Sequence, residues 1–131
     1  MVDQTRKELA DLGLNIRREV LGEEYVDKAM QSATDFNRSL HELVNEFCWG
    51  GCWGREGLSR KERSMITLAM ATALGRTNEV GLHVRGGLNN GLTEKQISEV
   101  LLQTAIYCGV PAAIDSYRAA AKVLAENSEN T

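Results

Sequence analysis

Apolar residues recur along this chain at intervals of three and four, the period of a helix lying on a core. Leu9, Leu12, Ile16 and Val20 form the first stripe, and Gly22 suits its end. A short helix over 23–33 follows, with Tyr25, Ala29 and Met30 on the inward side. Thr34 or Asp35 can cap a third helix, whose stripe is Phe36, Leu40, Leu43, Val44 and Phe47. The segment 48–57 holds four glycines in ten residues and reads as a loop. It also carries Trp49 and Trp53, which is unusual, because large aromatics normally fill cores or pockets.

Ser59 and Glu62 make a capping box, in which the serine side chain and the glutamate satisfy each other's backbone N–H groups. The helix they start runs to Leu74 and is nearly apolar from Met65 on, as expected of a central helix buried on most sides. Gly75 suits its stop. Thr77 opens a helix that reaches Asn89-Asn90-Gly91, and Thr93 with Gln96 forms a second capping box. Ile97, Val100, Leu101, Leu102 and Ala105 line the helix beyond it. Gly109 and Pro111 mark a break before a last helix over 112–125, and 126–131 reads as a polar tail. With one proline and few β-branched runs, the pattern predicts an all-α fold: about six helices in a single domain spanning 1–131.

Composition narrows the function more than the fold. The 131 residues are 43% hydrophobic and 25% charged, with a net charge of −3. No basic face points to nucleic acid. No apolar run approaches the ~20 residues that span a bilayer. The first residues, Met1 to Arg6, lack the apolar segment of a secretory signal, so the cytoplasm is the expected location. Three cysteines, Cys48, Cys52 and Cys108, are then expected as reduced, buried and inert thiols. A small helical domain is short of buried area, which an assembly of identical chains would relieve.

His83 is the foremost candidate for chemistry. It lies mid-helix with Gly86 and Gly87 one turn on, and each such glycine costs roughly 1 kcal/mol against alanine. Something must approach the backbone closely there: either a neighbouring helix, with the histidine hydrogen-bonded beside it, or a ligand to which His83 donates a proton. Arg60, Lys61 and Arg63 stand in the first turn of the central helix, where free N–H groups and positive charge favour an anion; a solvated helix start is the plainer alternative. Arg85 is two residues from His83 and so points elsewhere by about 200°. Arg55 is a further possible carboxylate partner. Trp49 and Trp53 suit a lid that excludes water or a plug at a subunit interface. Cys48 and Cys52 lie four apart, and His41, His83 and Cys108 give no spacing that completes a metal site with them.

Several of these segments, in order, resemble the gamma-carboxymuconolactone decarboxylase family. They are Val20-Leu21-Gly22-Glu23-Glu24-Tyr25-Val26, Trp49-Gly50, Trp53-Gly54-Arg55, Arg63-Ser64, Leu82-His83-Val84-Arg85, Asn89-Asn90-Gly91-Leu92-Thr93 and Tyr107-Cys108-Gly109-Val110-Pro111-Ala112. The resemblance spans roughly residues 17–121. It implies an alkyl-hydroperoxidase-like helical fold with intertwined subunits, usually a hexamer. It also implies decarboxylation of 4-carboxymuconolactone to an enol-lactone in protocatechuate breakdown. Loss of carbon dioxide leaves a dienolate spread into the lactone carbonyl, so the substrate is its own electron sink and no cofactor is required. On this resemblance His83 is the catalytic proton donor or oxyanion partner. Arg63, Arg55 and Arg85 are substrate-binding, and Trp49 and Trp53 close the pocket.

The chain departs from that family at three loop positions. Gly51 stands where the decarboxylases often carry an acid, Glu56 where they often carry proline, and Cys52 is unusual. A sister branch of peroxidases has a Cys-x-x-Cys pair just before the histidine; Arg76 and Glu79 stand at those places here. That leaves two alternatives to a decarboxylase: thiol-dependent reduction through Cys48 and Cys52, or an oligomeric binding protein without catalysis.

Overall fold

The computed structural model describes residues 5–129, so Met1–Gln4, and with them most of the start that lacks a secretory segment, lie outside the described residues. All regular structure among the described residues is helical, in seven helices rather than about six. The chain forms two compact units, Met1–Leu58 and Ser59–Thr131.

In the first unit α1 spans Arg6–Leu21, α2 Glu23–Gln31 and α3 Arg38–Leu43; α3 runs on as a wider helix over Val44–Gly50. Thr5 caps α1, accepting from the Glu8 N–H at 3.1 Å. Gly22 ends α1 at φ +101°, a conformation that side-chain-bearing residues rarely adopt. In the wide segment the Gly51 N–H donates to Glu46 O, five residues back, at 2.8 Å. Such π-type turns are rare and re-aim the side chains around them. Here they bring Asn45, Glu46, Trp49 and Gly50 into buried positions.

This segment lies directly on α1 through two glycines. A methyl group at Gly13 would overlap the Asn45 carbonyl oxygen and stand 2.6 Å from Gly50 N; one at Gly50 would overlap the Leu9 carbonyl oxygen. The backbone contact decides which side of α1 faces in. Gly13, Ile16, Arg17 and Val20 are buried, and Leu12, expected inward, is 37% exposed. In α2 the buried residue is Val26, and Tyr25 is exposed where the sequence placed it inward. The expected third stripe is split and without cover among the described residues: Phe36, in the turn before α3, is 97% exposed, and Leu40 and Leu43 of α3 and Phe47 of the wide segment are also exposed. Cys48, Trp49 and Gly50 belong to the wide helix, so the glycine-rich loop begins later than its composition suggests.

In the second unit α4 spans Arg60–Ala73, α5 Thr77–Asn89, α6 Glu94–Tyr107 and α7 Val110–Glu129. Both capping boxes form as the sequence indicates, with Ser59 and Glu62 opening α4 and Thr93 and Gln96 opening α6. Gly75, Gly91 and Gly109 turn the chain at positive φ between helices. The core joins Leu68 of α4, Val80 and Val84 of α5, Ile97 and Leu101 of α6 and Ala120 of α7. Two buried hydroxyls are satisfied in series: Ser116 donates to Thr72 Oγ1 at 2.9 Å, and Thr72 to Leu68 O at 2.8 Å. The central helix is buried on one face only, since Ile66 and Met70 are exposed, as is Leu102 on α6. The expected polar tail is helical through Glu129; residues 130 and 131 lie outside the described residues. Among the described residues no helix is long and apolar enough to cross a membrane.

Candidate active site

His83 sits in the middle of α5 with only 6% of its surface exposed. Helix geometry carries Val80, His83, Val84 and Gly87 onto the inward face, all of them buried. One turn before it, Glu79 places Oε2 3.7 Å from His83 Nε2, while its own side chain is 55% exposed. Burial pushes the imidazole pKa down from the usual 6.5 to about 4. The ring is therefore neutral near pH 7, with one nitrogen carrying a hydrogen and the other a lone pair.

This burial has a consequence for stability. The unfolded chain protonates His83 near pH 6.5, the folded chain only near pH 4. Between those values the unfolded state binds more protons, so stability rises with pH across the window and is lost as pH falls through it. The loss from this group is expected to reach roughly 3 kcal/mol by pH 4. Urea titrations at pH 7, 5.5 and 4 measure it, and His83→Leu is expected to remove that part of the dependence.

The close approach at Gly87 comes from the chain itself. A methyl group there would stand 2.9 Å from Leu92 Cδ1 and 3.7 Å from Ser64 Cβ. Ser64 is fully buried and accepts from Asn90 Nδ2 at 2.9 Å; the same amide reaches Arg60 O at 3.4 Å. This crossing of α4 and α5 sets Arg63, half-buried in the first turn of α4, in the same unit as His83. Arg85 faces outward and lies 3.5 Å from Glu126 on α7. The structure thus separates Arg85 from the buried histidine. Two grooves in this unit, of about 440 and 360 Å³, run along α4 and α6, lined by Met65, Val100 and Gln103 in both. His83 lines neither.

The other sequence candidates belong to the first unit. Trp49 and Trp53 are buried, with ring centroids 4.8 Å apart and planes tilted by 33°. They are a packed pair rather than side chains of an open loop. Arg55 is exposed in the turn that follows, its N–H donating to Cys52 O at 3.1 Å. Cys48, Cys52 and Cys108 are all exposed, against the expectation of buried thiols. Cys48 lies on the outward side of the wide helix, and Cys52 in the turn that follows it. Among the described residues no group of three or more His, Cys, Asp or Glu gathers to hold a metal ion.

Composition and spacing did not single out Arg17, Asn45 and Glu46. Arg17 is buried, donating to Asn45 Oδ1 at 3.0 Å and reaching Met30 Sδ at 3.7 Å. The buried Glu46 carboxylate accepts from Arg6 Nε at 2.9 Å. The available signal was Arg17 itself, a charged residue at the i+4 position from Gly13 on an otherwise apolar face.

The carboxymuconolactone decarboxylase family matches residues 38–122, a stretch that includes His83, Arg63, Arg55 and both tryptophans. The chain is 45% identical over 114 residues to a nitrosuccinic acid decarboxylase of Metarhizium robertsii, covering 87% of this chain and 80% of that protein. It is 41% identical over 100 residues to a 4-carboxymuconolactone decarboxylase of Acinetobacter baylyi, covering 76% and 75%. The chain belongs to the carboxymuconolactone decarboxylase family.

Proposed function

We propose that this chain is a cofactor-free decarboxylase of a small dicarboxylic acid, with His83 protonating the carbanion-like intermediate that remains when carbon dioxide departs. The family match across His83 carries this reading. The two named relatives add a chemical constraint, because their substrates share a feature. 4-Carboxymuconolactone holds its departing carboxylate on the γ carbon, from which the bond's electron pair can spread through the C=C into the lactone carbonyl. Nitrosuccinic acid holds one on the carbon bearing its nitro group. Each compound can receive the electron pair of the breaking C–C bond, and each has a second carboxylate by which to be held. The protein's part is then to bind that carboxylate, support the developing oxyanion and supply a proton.

Arg63 and Arg55 are the proposed carboxylate partners. Arg85 is the weakest of the three arginines, given its place beside Glu126. The tryptophan pair supplies apolar cover. Because the family match runs through both units, 1–131 is taken as one functional domain, acting in the cytoplasm.

Purified protein mixed with each acid, with carbon dioxide release followed directly, tests the activity. The 41% relative favours release from carboxymuconolactone, and the 45% relative makes nitrosuccinic acid the second substrate to try. Release from neither would end this reading.

The active form is proposed to be a homo-oligomer, with a hexamer expected. Support comes from exposed apolar side chains, Phe36, Leu40 and Phe47 in the first unit and Met70, Ile106 and Tyr107 in the second. Contiguous exposed apolar surface marks interfaces. Leu40→Glu with Phe47→Glu is expected to shift the mass seen by light scattering to smaller species; an unchanged mass would clear that face of a role.

A further inference from the structure

We infer that Nε2 is the working nitrogen of His83, and that Glu79 is the positioning residue that hands it the proton each turnover consumes. The inference rests on the reading of His83 as proton donor.

The two ring nitrogens face different surroundings. Nε2 points to Glu79 at 3.7 Å, one turn back along α5, whereas Nδ1 is buried. On the other side of the histidine, the space over Gly87 is taken by Leu92 and Ser64. A small acid therefore meets the ring from the Glu79 side. Glu79 is 55% exposed and His83 7%, so the carboxylate links solvent to an enclosed imidazole. The gap is too long for a hydrogen bond, yet catalytic contacts often tighten only when the substrate is bound. Rotation of an exposed glutamate is enough to close it.

The reaction creates the need for such a link. Each turnover converts one carboxylate and one proton into carbon dioxide and a new C–H bond. A ring whose pKa burial lowers to about 4 does not hold that extra proton at rest. In the proposed sequence, a solvent proton is relayed across the Glu79 carboxylate, the transient O–H bond breaking as Nε2–H forms. The C–C bond to the departing carboxylate breaks, and its electron pair moves into the substrate's own sink. The pair returns to carbon as the Nε2–H bond breaks and C–H forms. Glu79, left as carboxylate, takes its next proton from water.

The test uses the full chain with Glu79→Ala and Glu79→Gln. Turnover number is expected to fall about 10–100-fold with little change in KM. Added acetate is expected to restore much of the loss in Glu79→Ala, which a merely structural role would not allow. A ¹⁵N NMR spectrum reads the contact without activity: Glu79→Gln is expected to move the His83 Nε2 signal and leave Nδ1 nearly in place. Wild-type turnover in Glu79→Ala, or a loss that acetate does not touch, overturns the inference while His83 stands. If wild type releases carbon dioxide from neither acid, the functional reading fails, and an unmoved Nε2 signal overturns this one separately.

Discussion

Replacing His83 by leucine is expected to lower carbon dioxide release by about 10²–10⁴-fold while the chain stays folded. The size follows from what the ring does: no other titratable side chain is buried on the inward face of α5, and helix period fixes which residues share that face. Val80 and Val84, its buried neighbours, carry no proton. Leucine fills similar space, so the core built on Leu68, Val84 and Leu101 keeps its packing. The variant is expected to be no less stable than wild type at pH 5, because leucine has no proton to gain there. Circular dichroism with a steady-state assay separates the two effects. An active variant would remove the imidazole from the mechanism, and an unfolded one would make it a packing residue.

Replacing Gly13 by alanine is expected to have the largest effect on stability. The added methyl meets main-chain atoms of Asn45 and Gly50, and no rotamer change moves a backbone. α1 must lift from the wide helix, which carries Trp49 and supports Trp53. The expected cost is at least about 3 kcal/mol, with a fall in Tm of roughly 10 °C or more. Near-ultraviolet dichroism from the packed tryptophan pair should weaken with it. Gly57→Ala is the control, since a methyl there meets nothing within 4 Å; its Tm is expected within about 2 °C of wild type. Equal behaviour of the two variants would show that α1 does not depend on that close crossing.

Local chemistry made much of the second unit legible in advance. Ser59 with Glu62 and Thr93 with Gln96 are short-range signals that need nothing from the rest of the chain. Gly75, Gly91 and Gly109 likewise declare their turns by residue type. The first unit was harder, because its geometry depends on a long-range contact. Nothing local says that residues 44–50 widen their turn, or that Gly13 meets Asn45, so Leu12 and Tyr25 were assigned to the wrong side. The α3 stripe shows another limit. Periodicity groups Phe36, Leu40 and Phe47 into one stripe, but tells neither where the helix begins and widens nor what covers these side chains. Of the candidate site, His83 and Arg63 were nominated by residue type and resemblance. The partnership of Glu79 with His83 was not, because a glutamate in the first turn of a helix is ordinary on dipole grounds alone.

The most direct measurement is the fate of the incoming proton. Wild-type protein turning over carboxymuconolactone in heavy water is expected to place one deuterium on a single face of the product carbon. An imidazole fixed in α5 can deliver only from one side, and the His83→Leu variant should show neither the rate nor the preference. Deuterium spread evenly over both faces by the wild-type protein would mean that solvent, and not His83, supplies the proton.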